Sequence, residues 1–396
     1  MRVLSMLRRI LQTCADEMHA VRFAAMLAVV GGIIRGRRLA LTAIGRASSG
    51  PSFPKHGIKR VDRLLSNWRM QAERWLCFHD VARFLIGDCS RPVILMDWTK
   101  VTDGFHALVA AVPIGGRALT IYEEVHPERR LGAPRVQEAF LRALRDVLPT
   151  GCRPIIVTDA GFQGPFFRSV TRLAWDFVGR IRGTAKMRAR AGGTWKAVSD
   201  VYATAARRPR DLGTFQLYKD RESIDARLVL AAKRRRGRKH PWNWRWSAQG
   251  GVSPSTISGA KEPWLLATSV SSDDAEKIIA IYATRMQIEE TFRDVKNPRF
   301  GWCLRHVRGS NAARLTLLLL FAAIAALAVT LIGMAASSAG RQRRYQANTA
   351  TKRVLSHFVL GLAIIERRDY GGLGAVLRFG RRHARHSLIT LCPARA

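Results

Sequence analysis

Acidic residues are scarce in this sequence, and its cysteines are scattered. Only 29 of the 396 residues are Asp or Glu, against 66 Lys and Arg, which gives a formal net charge of +37. A surplus of this size repels itself unless a polyanion neutralises it. Nucleic acid is therefore the leading partner, and an anionic membrane is the second. None of the six cysteines belongs to a C-x-x-C pair, which argues against a zinc knuckle or a disulfide framework and favours a reducing cytosol.

No secretory signal is expected at the N-terminus, because charges at Arg8, Arg9, Asp16 and Glu17 interrupt its apolar residues. One uncharged run, Leu315 to Gly340, is long enough to cross a bilayer. Hydropathy alone favours a membrane span there, and a buried helix at the centre of a globular domain is the alternative. Basic residues flank the run on both sides, so the positive-inside rule gives no orientation.

Residues 1 to about 90 carry apolar residues at helical spacing, interrupted by a loop rich in Ser, Pro and Gly at 48–57. The helix that follows this loop has Lys59, Arg60, Arg63 and Arg69 at its polar positions. Small helical modules with basic faces commonly grip duplex DNA. A basic helical lid without a role in DNA binding is the alternative.

Two carboxylates follow short apolar runs that are typical of buried strands. Residues 91–101 predict a strand that ends at Asp97, and residues 153–158 predict a second strand that leads into Asp159. Between them lie a hairpin that turns at Gly115 and Gly116 and a helix near 134–148. Polar groups at strand ends are where α/β folds present functional side chains, although a single Asp there is more often a turn residue.

The segment from about 184 to 268 alternates or runs apolar with β-branched residues, which predicts mostly strands. Within it, residues 233–246 read KRRRGRKHPWNWRW, where basic and aromatic residues are interleaved. This composition suits a surface that binds nucleic acid by charge and stacking. A solvated loop is the alternative.

The segment Ile281–Lys296 has no Gly or Pro and predicts one continuous helix. Tyr282, Arg285, Glu289 and Lys296 have offsets of 0, 3, 7 and 14. At about 100° per residue, these offsets fall within roughly 60° of one another. A carboxylate among cations on one helix face is suited to phosphate and a divalent metal. A solvated helix with an ordinary Arg285–Glu289 pair is the alternative.

This spacing resembles the Y-R-E-K signature of the insertion sequence 4 family of bacterial cut-and-paste transposases. Further similarities are T-D-A-G-F at 158–162, W-L-L-A-T at 264–268 and KHGIKRVDRLLSN at 55–67. The resemblance implies an α/β fold with a ribonuclease-H-like catalytic core at 91–300, interrupted by a β-rich insertion at about 184–268. It also implies an all-helical DNA-binding domain at 1–90 and a helical C-terminal region at 301–396 that takes part in dimerisation.

By the same resemblance, Asp97, Asp159 and Glu289 are the catalytic residues and the ligands of two Mg2+ ions, for which Mn2+ can substitute. Carboxylates suit Mg2+, and two ions about 4 Å apart can activate a nucleophile and steady a leaving oxygen in phosphoryl transfer. Three acids crowded together in so basic a protein would repel one another, and bound metal offsets this repulsion.

The resemblance also assigns residues to DNA. Tyr282, Arg285 and Lys296 are expected to hold phosphates, and Trp264 to stack on a flipped base, with a core aromatic residue as the alternative for Trp264. The expected partners are double-stranded DNA, at the inverted-repeat ends and the target, and a second copy of the chain. A membrane is not expected, because family members carry a similar apolar helix after the signature. The expected location is the bacterial cytoplasm, in association with the nucleoid.

Two other interpretations remain open. The first is a metal-dependent nuclease or resolvase on the same fold, which cuts DNA without joining it. The second is a catalytically silent transposase relic that binds DNA, against which the intact Asp97, Asp159 and Glu289 argue.

Overall fold

The computed structural model describes residues 3–48, 53–183, 185–219, 222–232, 262–297, 301–304, 307, 309 and 311–371. The basic and aromatic segment 233–246 and the basic residues after 371 lie outside the described residues. The chain divides into two compact units. The first unit comprises Met1–Ile155 and Thr284–Ala396, and the second unit comprises Ile156–Ala283.

The N-terminal part of the first unit is helical, as the apolar spacing predicts. Its helices are α1 (Val3–Ile10), α2 (Gln12–Glu17), α3 (Ala20–Gly36), α4 (Leu41–Ser48), α5 (Pro54–Leu65) and α6 (Trp68–Ile86). The predicted loop at 48–57 extends too far, since α5 already begins at Pro54. Proline suits the first turn of a helix, where its missing N–H would have no partner.

Three antiparallel strands of a larger sheet follow in the first unit. These strands are β1 (Val93–Thr102), β2 (Phe105–Ile114) and β3 (Arg117–Pro127), followed by helix α7 (Pro134–Val147). Gly115 and Gly116 have φ angles of 59° and 88°, which a two-residue hairpin turn requires. The prediction that the first strand ends at Asp97 is wrong. β1 continues because Trp98 to Thr102 still pair with β2, so Asp97 lies in mid-strand.

The second unit is built mainly of strands. It contains β4 (Ile155–Thr158), α8 (Gly164–Arg172), β5 (Asp176–Arg180), β6 (Lys186–Ala189), β7 (Lys196–Ala197), β8 (Arg210–Leu217), β9 (Ile224–Ala231), β10 (Trp264–Thr268) and α9 (Ala275–Ala283). The strand order is β4-β5-β10-β9-β8-β6-β7. Strand β10 is antiparallel to both of its neighbours.

One predicted strand of this segment is mostly a helical turn. Residues Val198–Thr204 form a 3-10 helix, and only Lys196–Ala197 before it pair as a strand. The Asp200 side chain accepts the backbone N–H of Ala197 at 3.2 Å. This local bond stabilises the first turn and competes with strand pairing.

The remaining helices of the first unit are α10 (Met286–Lys296), α11 (Ala312–Ser338) and α12 (His357–Glu366). Helix α12 starts at His357 because the Ser356 hydroxyl accepts the N–H of Val359 and caps the helix. Helix α11 has the length and composition of a membrane span, but 94% of its most apolar window is buried in the protein. It packs against α3, α12 and β3, as expected of a core helix.

Candidate active site

The segment that carries the signature is not one helix. Helix α9 ends at Ala283 and α10 begins at Met286. Between them the chain tightens to i, i+3 bonds, from the Gln287 N–H to the Thr284 carbonyl at 2.9 Å and from the Ile288 N–H to the Arg285 carbonyl at 3.2 Å. A 3-10 turn has three residues per turn, so the helical period is not maintained across it. The prediction of one continuous face from Tyr282 to Lys296 is therefore wrong.

The break coincides with a boundary between the units, because Ala283 ends the second unit and Thr284 resumes the first. Tyr282 thus belongs to the second unit, whereas Arg285, Glu289 and Lys296 belong to the first.

Within the first unit, Arg285 lies between two of the predicted catalytic acids. Its Nη1 is 3.7 Å from Asp97 Oδ2, and its Nη2 donates to Glu289 Oε1 at 2.5 Å. The side chains of Arg285 and Asp97 are only 13% and 15% exposed, so the charges are largely withdrawn from water. An ionised acid as buried as Asp97 requires a nearby positive charge, whereas Glu289 is 38% exposed and partly solvated. Arg285 supplies this charge here, although the sequence predicted that it contacts phosphate.

Helix α10 is anchored to the sheet that carries Asp97. Lys296 Nζ donates to Thr99 Oγ1 at 2.6 Å, and Thr99 lies two residues after Asp97, on the same face of β1. The Thr291 hydroxyl bonds both the N–H and the carbonyl of Ala118 on β3, at 2.8 and 2.9 Å. These contacts fix Glu289 relative to Asp97. Sequence analysis missed both threonines, because neither belongs to the signature.

A further acid lies on the same face of this sheet. Asp97 pairs with Val109 on β2, and Val109 pairs with Glu123 on β3, so the three side chains point to one side. Glu123 is 6% exposed, and its Oε1 has no hydrogen-bond partner among the described residues. Burial raises its pKa from 4.5 to about 8. It lines a cavity of about 50 Å3 together with Thr99 and Lys296.

The alternation of side chains along a strand could have indicated that an acid near Glu123 is buried. Two consecutive acids, Glu123 and Glu124, occur in a strand, and one of them must point inward. Which one does so depends on a bulge, since Tyr122 pairs with Ala110 but Thr120 pairs with Ala111. That irregularity is a non-local feature of strand pairing, which the alternation pattern alone does not contain.

In the second unit, Asp159 directly follows β4, as predicted. Its Oδ1 accepts the N–H of Gly161 at 2.8 Å, which turns the chain toward α8. Trp264 begins β10 and is half-buried, and its ring meets that of buried Tyr282 edge to face at 5.0 Å. Tyr282 therefore supports the Trp264 ring.

The second unit also contains a cationic cavity that sequence analysis missed. The cavity measures about 270 Å3 and lies beside the chain that follows Asp159. The described lining residues include four cations and no acid: Arg180, Arg182, Lys186 and Lys219. Arg180 and Arg182 occur in the run DFVGRIRG, whose alternate cations were a usable signal. Such a cavity can accommodate a phosphate or a nucleotide.

The donor set of the first unit fits a divalent cation. Asp97 and Glu289 already converge on one positive group, and carboxylate oxygens are the ligands that hard cations prefer. Within the described residues, no three His, Cys, Asp or Glu side chains are grouped to hold a metal. The convergence of Asp97 and Glu289 on Arg285 shows that this position of the first unit accommodates a positive charge.

Comparison with protein families gives a match to a known family model. Residues 89–326, more than half of the chain, match the model described as a transposase DDE domain. The matched range contains Asp97, Asp159 and Glu289. A comparison with curated proteins finds no match.

Proposed function

Since the chain belongs to the transposases with a DDE domain, we propose that it performs cut-and-paste transposition of the insertion sequence 4 type. In this function it cuts DNA at the inverted-repeat ends of a mobile element and joins those ends to target DNA. The family implies DNA as a partner and generally uses divalent metal ions. The convergence of Asp97 and Glu289 on Arg285 carries the proposal, because it is an arrangement of acids that a cation stabilises.

Asp97, Asp159 and Glu289 would hold two Mg2+ ions, for which Mn2+ can substitute. When bound, the ions supply a nucleophile at neutral pH and neutralise charge on the leaving oxygen of the phosphodiester. In the first step water breaks a phosphodiester and frees a 3′-hydroxyl. In the second step this hydroxyl attacks a target phosphodiester, so that one bond forms as another breaks.

The cations of the signature have distinct tasks in this reaction. Arg285 neutralises the acids before metal arrives, and its planar guanidinium then turns to a DNA phosphate. Lys296 holds a second phosphate while its Thr99 contact keeps α10 on the sheet. Trp264 stacks on a base flipped out at the cleaved end, and Tyr282 supports both the Trp264 ring and the phosphate nearby. Arg180 and Arg182 contact the same DNA through the cationic cavity.

We assign the catalytic core to the ribonuclease-H-like fold. The chain order of three strands, a helix, a strand, a helix and a strand, from β1 to β5, supports this assignment. The proposed domains are residues 1–90 for binding the inverted repeat, 91–300 for catalysis with an insertion at about 184–268, and 301–396 for a helical region that takes part in dimerisation. We place the protein in the bacterial cytoplasm, on the nucleoid.

The test is a cleavage and joining assay with Mg2+ and DNA that carries the inverted repeats flanking its own gene. Wild type is compared with Glu289→Gln and with the matched control Glu290→Gln, whose native carboxylate pairs with Arg293 on the exposed side of the same helix. We expect cut ends and joined products from wild type and from Glu290→Gln, and neither from Glu289→Gln.

Three other outcomes contradict the proposal. Glu289-dependent cutting without joined products would identify a nuclease or resolvase. DNA binding without cutting by the wild type would identify a relic. Equal cutting by wild type and Glu289→Gln would show that Glu289 is not a catalytic residue.

A further inference from the structure

Helix α5 presents a basic stripe with an exposed aromatic ring at each end. Phe53 precedes the helix and is 74% exposed, and Trp68, which begins α6 after a two-residue turn, is 71% exposed. The exposed cations Lys55, Lys59, Arg60, Arg63 and Arg69 accompany them. The 12 residues of α5 span roughly 18 Å at 1.5 Å per residue. We call the two rings and these five cations the α5–α6 surface.

Within the part of the chain that the structure describes, no acid compensates the charge of the five cations of this surface. None of its five cations makes an ion pair within the described residues. The two acids nearest in sequence are occupied elsewhere: Asp62 pairs with Arg314 at 2.6 Å, and Glu73 pairs with Arg22. A stripe of solvated cations whose one acid, Asp62, already pairs with Arg314 is complementary to a polyanion.

Each ring has a cation next to it. Arg69 Cζ lies 5.3 Å from the centroid of the Trp68 ring, and Lys55 Nζ lies 5.9 Å from that of Phe53. Trp75 lies seven residues after Trp68, on the same face of α6, and is 48% exposed. Exposed apolar groups that are rimmed by polar residues are typical of interaction sites, whereas single exposed rings are common on protein surfaces. An aromatic ring beside a cation is the combination that receives a base and its phosphate together.

We propose that the α5–α6 surface binds DNA in which a base has left the double helix, with Trp68 stacked on that base and the five cations on the flanking phosphates. This inference rests on the proposed function, since it assumes a DNA substrate. Tryptophan has a single N–H donor, so its hydrogen bonding cannot distinguish one base pair from another. Its flat face accepts any exposed base, and the surface therefore selects distorted DNA over regular duplex.

The test uses the full chain carrying Glu289→Gln, which separates binding from cutting, and Trp264→Ala, which removes the other ring proposed to stack on a flipped base. Fluorescence anisotropy compares a fully paired duplex with the same duplex containing a two-base bulge. We expect tighter binding of the bulged duplex by about tenfold, and loss of that preference in Trp68→Ala, as for the removal of one stacked base. The Trp68→Phe variant keeps most of the preference because it keeps a ring. The control Val21→Ala, which truncates another side chain that is 71% exposed, keeps all of it.

The salt dependence separates the ring from the cations. Trp68→Ala carries no charge change, so the slope of log affinity against log salt stays as it was. Arg63→Ala is expected to weaken both duplexes equally and to reduce the slope by about 1.

Two results would overturn the inference. One is an unchanged preference for the bulged duplex in a folded Trp68→Ala protein. The other is a change in sedimentation of Trp68→Ala without DNA, which would assign the surface to a second copy of the chain. Failure of the proposed function is read separately, as a wild-type protein that binds DNA but does not cut it.

Discussion

The two compact units differ in how their charged side chains are neutralised. In the first unit the candidate catalytic acids Asp97 and Glu289 are already neutralised by Arg285 from the same chain. In the second unit the described lining of the cavity beside Asp159 has four cations and no acid, although one of these cations, Arg180, is 13% exposed and pairs with Glu262 at 3.5 Å. Buried acids destabilise the fold unless a positive charge or a proton accompanies them, whereas exposed cations remain solvated at little cost. Under the proposed function, the metal site holds Arg285 as a substitute cation, whereas the cavity proposed to bind DNA needs no such substitute.

The largest effect expected from this comparison concerns Glu123, an acid of the first unit that a proton neutralises instead of an arginine. Burial raises its pKa from 4.5 to about 8. Between these values the folded protein keeps a proton that the unfolded chain releases, so stability from this group falls as pH rises. At about 1.36 kcal/mol per pKa unit, the full penalty is at most about 5 kcal/mol. Glu123→Gln should match wild type below pH 4.5 and become increasingly more stable up to pH 8.

Denaturant unfolding at several pH values measures this difference. Glu124→Gln is the control of opposite sign: burial raises the pKa of Glu124, but hydrogen bonds from His126 and Tyr122 outweigh it, and the net pKa is lowered. Its substitution should destabilise the protein at neutral pH. A stability difference for Glu123→Gln that does not vary with pH would show that Glu123 is ionised in the folded state.

A smaller effect is expected in the cationic cavity of the second unit. Arg182→Ala should weaken DNA binding about fivefold and lower the salt slope by about 1, because one phosphate contact is lost. The control is Arg208→Ala, since the Arg208 side chain is 90% exposed and pairs only loosely with Glu276. Filter binding at four salt concentrations gives both quantities. Equal behaviour of the two variants would mean that the cavity does not contact DNA.

The smallest expected effect is on metal affinity when Arg285, the cation that substitutes for the metal, is removed. Arg285→Ala removes the guanidinium that competes with metal for Asp97 and Glu289, so Mn2+ should bind about threefold more tightly without DNA. Cleavage should nevertheless decrease, since Arg285 also holds a phosphate. Electron paramagnetic resonance of free Mn2+ measures the affinity, with Arg293→Ala as the control from the same helix. Weaker Mn2+ binding in Arg285→Ala would contradict the role of a substitute cation.

Local patterns in the sequence predicted the elements that local chemistry determines. The hairpin turn at Gly115 and Gly116 needs positive φ angles, and the strand before Asp159 is a short apolar run bounded by polar residues. The long apolar run near the C-terminus is a buried helix, as the resemblance to the transposase family led us to expect.

Features that depend on distant partners were missed. Nothing in the composition of 281–296 marks the break at Thr284 and Arg285, because neither residue is Gly or Pro. The extent of β1 beyond Asp97 depends on its pairing with β2, and the burial of Glu123 depends on a bulge in the pairing of β3. These are tertiary effects, to which helical period and strand alternation do not extend.

The central claim is that Asp97 binds a catalytic metal ion, and a change of metal preference tests it most directly. The cleavage rate of Asp97→Cys is measured in Mg2+ and in Mn2+, beside Asp103→Cys, which replaces a fully solvated acid just after β1. Thiolate is a poor ligand for Mg2+ and a better one for Mn2+. The account predicts a rate about a thousandfold below wild type in Mg2+ and substantial recovery in Mn2+, with Asp103→Cys unaffected. Wild-type cleavage by Asp97→Cys in Mg2+, or no recovery in Mn2+, would contradict it.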